Sequence, residues 1–489
     1  MSFVEIEMAF FLPLALLGYW LLPRRATLQN LFLLVCSWIF YSAWNWRWLP
    51  LLICGGLIDY CAARFIEANR GEQQAGRRRV ALLISLAWNL GALAYFKYTN
   101  FFIESAASLL GAFGLQASLP TLSIILPLGI SFYTLQRISY VVDVYTGRET
   151  ACRSLLQFLL YSGYFPQLTA GPIARASELL RQLGTARVLD ADNLARGAGE
   201  FLLGFALKAW VADTIGTLVV TPVFAAPASW STGAHWLAVL GYAFQVFGDF
   251  AGYSLMAIGC SRLFGIELPV NFNHPFLSRS LPELWRRWHI TLNRWLFDYI
   301  YGPMTTSRGW FRGRMDVALL VTFAASGIWH GAAVTFVLWG VWHGVGMVIQ
   351  RRWDETYRGW CRNDKRFVQY RKSALYAAGA WLLTQGFFLL SLVPFRATDT
   401  ATLGQFARGL LGSNGTATLS LGTVPTLNVL LAAALVIGYH LTGTARIAAL
   451  WQRFLALPAP IRGAVYGAVI AYLTVFVPLG ASTFIYRQF

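Results

Sequence analysis

The chain has 489 residues, 57% of them hydrophobic, 16% aromatic and only 12% charged. A soluble domain carries about 25% charged residues, so composition alone indicates an integral membrane protein. The net charge is +17, but the basic residues sit in the gaps between apolar runs, where they set topology and meet anionic lipid, which argues against a nucleic-acid partner.

The apolar runs are continuous and close to the length of a membrane helix, unlike the alternating ten-residue strands of a barrel. Helices are expected near 4–22, 28–46, 48–66, 80–97, 121–146, 154–170, 196–225, 234–264, 316–350, 373–393, 425–442 and 463–480. The reading is an all-α polytopic membrane protein, a single integral membrane domain over 1–489, with roughly eleven to thirteen spans. The runs 196–225, 234–264 and 316–350 are long enough to be tilted, broken or double. No internal repeat is visible, which weakens a transporter built from inverted halves. Phe3 to Leu22 has no basic n-region before it and no small-residue cleavage site, so it reads as a retained helix and not a signal peptide.

Basic gaps orient the chain. Arg24 and Arg25, the cluster Arg70, Arg77, Arg78 and Arg79, the connection with Arg175, Arg181 and Arg187, and the loop 351–372 are all expected on the cytoplasmic side. The loop 351–372 holds Arg351, Arg352, Arg358, Arg362, Lys365, Arg366, Arg371 and Lys372. The segment 394–424 and both termini are then extracytoplasmic. The cysteines at 36, 54, 61, 152, 260 and 361 form no Cys-x-x-Cys pair and read as small buried hydrophobes.

The region 266–312 breaks the apolar pattern with Asn271, Asn273, His274, Glu283, Arg286, Arg287, His289, Arg294 and Asp298, mixed with Trp285, Trp288 and Trp295. Polar backbone at membrane depth is tolerated where protein or a water cavity covers it. Two readings stand: a re-entrant segment lining an internal funnel, or an amphipathic helix with tryptophans at headgroup level.

His330, in Ser326-Gly327-Ile328-Trp329-His330-Gly331, lies inside a long apolar run. An ionisable group there is costly and is usually kept because it faces a cavity. A neutral imidazole in such a cavity can take a proton from an alcohol as the oxygen attacks a thioester. The alternative is a structural histidine bonded to a backbone carbonyl. His289 lies 330 − 289 = 41 positions earlier, enough for one helix to leave and the next to return. His343 is thirteen steps beyond His330, about 140° away on a straight helix, and reads as structural. His235 and His440 read as packing residues and His274 as a loop residue. No spacing supports a metal site. Asp249, in Gly248-Asp249-Phe250-Ala251-Gly252-Tyr253, needs a partner, for which Arg286 or Arg287 is expected; the alternative is orienting a catalytic histidine. Phosphate-loop and serine-hydrolase signatures are missing.

Taken together, Trp285-Arg286-Arg287-Trp288-His289-Ile290-Thr291-Leu292 followed by Trp329-His330-Gly331 resembles the membrane-bound O-acyltransferase family. The resemblance extends along most of the chain. It includes Leu128 to Tyr133, Ser139 to Tyr145, Phe165 to Ile173, Asp249 to Gly259 and Asn271 to Phe276. These motifs resemble the bacterial branch, which contains the alginate O-acetylation membrane subunit and the D-alanyl transfer protein of teichoic acid modification. The segment 302–312 lacks the Leu-Gly-Gly-Asn-Arg of the alginate branch, and its Gly-Trp-Phe-Arg leans to the D-alanyl branch, whereas Phe165 to Pro172 fits the polysaccharide-acetylating branch.

The resemblance implies a ring of helices around a thin floor pierced by a tunnel. An acyl thioester would be held on one side and an acceptor on the other. It maps the family's histidines onto His330, as general base, and His289, as a helper. Asp249, Tyr253, Asn271, Glu283, Trp285, Arg286, Arg287, Trp288, Asp298 and Trp329 are the candidate supporting or tunnel residues. The implied donor is acetyl-CoA, with an acyl carrier protein thioester as the alternative, and no bound cofactor. The implied acceptor is an extracytoplasmic polysaccharide, reached through a periplasmic acyltransferase partner in a bacterial inner membrane. The alternative is D-alanyl transfer to teichoic acid. The tail Phe484 to Phe489 resembles a C-terminal aromatic motif of bacterial relatives, so Tyr486 is a candidate acyl carrier, the alternative being an interfacial anchor of the last helix. From another class, a flippase or an export scaffold would work without bond chemistry and would survive loss of His330.

Overall fold

A computed structural model describes residues 1–115, 122, 124–306, 309–412 and 415–476. Those residues are helical nearly throughout, and the one extended pairing among them is an isolated bridge between Trp230 and Ala417. By length and apolarity five helical stretches can cross a membrane: Ala26–Ala68, Glu72–Gly111, Ala191–Ala225, Ala374–Arg396 and Thr423–Gly443. A bent pair, Ala445–Leu455 with Ala459–Leu473, adds a sixth if it forms one span. Ile6–Leu21 and Met315–His330 are shorter apolar helices. The protein is therefore a polytopic, all-α membrane protein, as composition predicts.

Several expected spans differ in the structure. The run expected at 154–170 is a helix only over Leu155–Gly163, followed by the short Phe165–Leu168, because Pro166 has no N–H to continue the ladder. The run expected at 121–146 is helical from Ile130 to Thr146. The run at 316–350 divides into Met315–His330 and Val334–Asn363. Thr232–Leu263 is one 32-residue helix, while 196–225 carries π-helical turns at Ala206–Ala212 and Gly216–Val220. Thr99–Ala112 and Thr400–Leu410 are helices that hydropathy passed over.

The chain sorts into two compact units: 1–203 with 253–269, and 204–252 with 270 onward. In the first, Arg137 is buried, donates to the Leu52 carbonyl and shares its surroundings with Asp59, which accepts bonds from Ser85 Oγ at 2.5 Å and Asn89 Nδ2 at 2.9 Å. A buried charge held this way costs little only while its partners remain. In the second unit, Met315–His330 packs along Val334–Asn363 through glycines. A Cβ at Gly327 would lie 2.3 Å from the Phe336 carbonyl, and one at Gly340 would lie 2.4 Å from the Phe323 carbonyl. Small residues let two backbones approach where lipid supplies no hydrophobic drive. That crossing places His330, the last residue of its helix, at the turn between the two.

Candidate functional site

His330 is buried in an aromatic nest within the second unit. Its ring centroid lies 4.9 Å from Trp329, 4.9 Å from Trp339 and 5.3 Å from Phe395, each edge-on. Trp329 also reaches the His289 ring at 6.0 Å, so the two predicted histidines share one tryptophan wall. Phe250 closes the other side of His289 at 4.5 Å.

His289 owes its position to the polar residues around it. It caps Ile290–Leu296 in a left-handed conformation, φ 44°, which costs a non-glycine residue on the order of 1–3 kcal/mol unless surroundings fix it. Here the surroundings are main-chain bonds from Asn273 N to Arg287 O and from Ile290 N to Asn271 O, both 2.9 Å. The Asn271 carbonyl oxygen accepts from the Thr291 N–H and hydroxyl, and lies 3.2 Å from His289 Nδ1. An oxygen can only accept, so Nδ1 carries the proton and the lone pair sits on Nε2. This tautomer can take a proton at Nε2.

The remaining candidates divide. Trp288 packs against Phe272 and Phe388, both at 5.1 Å. Ser280 caps Leu281–Arg287 by accepting from the Glu283 N–H, while the Glu283 carboxylate reaches back to accept from the Arg279 N–H at 2.9 Å and pairs with Arg287 at 2.9 Å. Trp288 and Glu283 hold the segment in shape. Trp285, Arg286 and Asp298 instead line a cavity of about 920 Å³ in the same unit, together with Arg294, Phe323, Arg351, Asp354, Arg358 and Arg371. Its size lies toward the upper end of the ~300–1,000 Å³ typical of small-molecule sites. Trp285 joins cavity to nest: its ring lies 5.8 Å from Trp339, which flanks His330. Tyr253 belongs to the first unit, where its hydroxyl bonds Thr169 and its ring packs on Phe3 at 5.0 Å. Tyr486 lies outside the described residues.

The expected pairing of Asp249 with Arg286 or Arg287 is wrong. Asp249 Oδ1 lies 2.8 Å from Lys208 Nζ, which also donates to Asp213 Oδ1 at 2.6 Å, all three buried. Sequence reasoning missed Lys208 and Asp213 because they are five residues apart. On a regular helix five steps turn ~500°, which leaves the side chains ~140° apart. The π-helical turn at Ala206–Ala212, whose bonds close from i to i+5, brings them to one side. Gly252 completes the site: a Cβ there would lie 2.9 Å from the Lys208 nitrogen of the main chain. A lysine alone in an apolar run was the available signal.

His343, His440 and His235, read from the sequence as structural or packing residues, each have a hydrogen-bond partner. His343 Nε2 meets Ser391 Oγ at 2.9 Å, and that hydroxyl donates to the Phe388 carbonyl, so the histidine is the donor. His440 and His235 bond the carbonyls one turn back through Nδ1. Among the described residues no group of three or more His, Cys, Asp or Glu is placed to hold a metal ion.

Residues 151–393 match the family model of MBOAT, membrane-bound O-acyltransferase family. The chain is 36% identical over 397 residues to the probable alginate O-acetylase AlgI of Pseudomonas aeruginosa, covering 77% of this chain and 74% of that protein. It is 33% identical to the peptidoglycan O-acetyltransferase of Helicobacter pylori, over 83% of this chain and 78% of that protein. Likeness to the teichoic acid D-alanyltransferase of Bacillus subtilis is 31% over 42% of this chain and 54% of that protein.

Proposed function

The chain belongs to the membrane-bound O-acyltransferase family and is an O-acyltransferase, and from that premise we propose that it moves acetyl groups from acetyl-CoA toward a hydroxyl of an extracytoplasmic polysaccharide. The observation that carries the reading is the arginine-lined cavity whose Trp285 wall runs through Trp339 to His330. Planar, always-charged guanidinium groups suit the phosphates of a CoA donor. Arg286, Arg294, Arg351, Arg358 and Arg371 line that cavity, against the two carboxylates Asp298 and Asp354.

His330 acts as general base. The imidazole takes the hydroxyl proton as the oxygen bonds to the thioester carbonyl carbon. Collapse of the tetrahedral adduct breaks the C–S bond, and the proton passes from the imidazolium to the leaving thiolate. No net proton is gained or lost. His289, with its lone pair on Nε2, assists the proton transfer, and Trp329 holds the two rings at a fixed separation. The comparisons favour acetyl over D-alanyl transfer, since the acetyl-transferring relatives are matched over about three quarters of their length and the D-alanyl relatives over less. A bacterial inner membrane, outward-facing termini and a periplasmic acyltransferase partner complete the reading, with Tyr486 as an acyl carrier to that partner. Full acetylation in cells by Tyr486→Phe would remove the carrier step.

The deciding experiment is incubation of the purified protein with radiolabelled acetyl-CoA, wild type beside His330→Ala. Thioester turnover or protein labelling in the wild type alone supports the assignment. Equal signals in both would remove His330 from the mechanism, and silence in both would redirect the search to a carrier-protein thioester.

A further inference from the structure

Val334–Asn363 is longer than a membrane requires. Thirty residues span ~45 Å at 1.5 Å each, against a hydrocarbon core of ~30 Å. Its first part, Val334 to Ile349, carries no Asp, Glu, Lys or Arg. The rest is dense in charge and folds back through Asp364, which caps Lys365–Lys372 by accepting from the Arg366 N–H at 2.8 Å. Between the helix tail and this second helix lies a cleft of about 620 Å³, lined by Arg358, Cys361, Arg362, Val368, Arg371 and Lys372.

The charges in this cleft are unbalanced. Four cations line it and no carboxylate does. Arg371 pairs with Asp354 at 3.0 Å. Arg358 and Arg362 each donate Nε to a carbonyl one turn back, at 3.1 and 3.4 Å. Those bonds leave the outer guanidinium nitrogens for something else. Among the described residues no carboxylate forms an ion pair with Arg358, Arg362 or Lys372. Trp353, Trp360, Phe367 and Tyr370 of the same two helices are exposed. Exposed tryptophan and tyrosine next to cations, just past the end of an apolar run, is the pattern of the membrane headgroup layer.

We propose that this cleft binds the headgroup of an anionic phospholipid, with Arg362 and Lys372 as its phosphate ligands. A basic pocket beyond a membrane helix fits an anionic headgroup. A soluble anion would make no use of the exposed aromatic side chains. Arg358 and Arg371 line both this cleft and the 920 Å³ cavity, so the two adjoin, whereas Arg362 and Lys372 line the cleft alone and are the residues that separate lipid binding from donor binding.

The test is native mass spectrometry of the full-length protein in detergent with dioleoyl phosphatidylglycerol, tetraoleoyl cardiolipin or dioleoyl phosphatidylcholine. The anionic lipids are expected to be retained at least tenfold more tightly than phosphatidylcholine. Arg362→Gln with Lys372→Gln should abolish that preference, while Arg362→Lys with Lys372→Arg keeps it and acetyl-CoA binding stays within twofold. Equal retention of all three lipids by the wild type would overturn the proposal even if the Gln variant failed to fold. So would unchanged preference in a folded Gln variant, or displacement of the lipid by millimolar inorganic phosphate, which would mark a soluble-anion site.

Discussion

The histidine nest and the arginine-lined cavity adjoin within the second unit, yet they hold their polar groups by opposite means. In the nest, orientation comes from aromatic packing and one amide: His330 is boxed by Trp329, Trp339 and Phe395, and His289 is fixed by Asn271. At the cavity, orientation comes from ion pairs, such as Arg351 with Asp316 at 2.7 Å and with Glu355 at 2.6 Å. Under the proposed function, the nest would take up and release a proton, whereas the basic cavity would receive the phosphates of the donor. Changes in the nest should therefore act on turnover, and changes at the cavity on donor affinity.

The largest expected effect is His330→Ala, a fall in acetyl turnover of about 10²–10⁴-fold, the usual contribution of a general base. Its melting temperature should stay near wild type; a strongly lowered one would recast His330 as structural and erase the contrast. Next is Lys208→Met, which strands two buried carboxylates. Breaking a buried pair costs on the order of 3–5 kcal/mol, read as a lowered thermal midpoint. Adding Asp213→Asn and Asp249→Asn should recover much of it, and no recovery would mean that the lysine acts by packing alone.

Asn271→Ala removes the acceptor of three donors and should cost about 1–3 kcal/mol. Turnover should fall with acetyl-CoA KM little changed, because the His289 tautomer is no longer imposed. Arg294→Gln probes the other side: acetyl-CoA KM should rise roughly ten- to a hundredfold, in line with the ~1.5–3 kcal/mol of a bond to a charged group, with kcat within twofold. A kcat loss there instead would break the division between the two regions. The smallest effect belongs to Arg352→Gln. Arg352 is an exposed partner of Asp316, and such surface pairs contribute ~0–1 kcal/mol, so neither stability nor turnover should move measurably.

The sequence was most legible where one residue type carries one physical demand. Twenty-residue apolar runs must become helices in a bilayer because no water is there to satisfy the backbone, so the all-helical, polytopic architecture needed no tertiary information. His330 stood out because an imidazole in an apolar run requires a reason, and His289 because it sits in a polar segment between apolar runs. Legibility failed where the backbone departs from regular geometry. The π-helical turn that carries Lys208 onto Asp213 has no sequence marker, so Asp249 was expected to pair with the nearest motif arginines. The left-handed backbone at His289 is likewise imposed by Asn271 and Asn273 rather than by its own side chain.

Local chemistry thus determined that the chain is a helical membrane protein, and it singled out the two histidines. Tertiary structure alone decided that Trp329 stands against both rings and that Trp285 walls the arginine cavity beside Trp339. The physical reason is reach. Helix propensity and hydropathy act over a few turns, whereas a cavity lined by residues from 282 to 371 exists only once separate helices have packed.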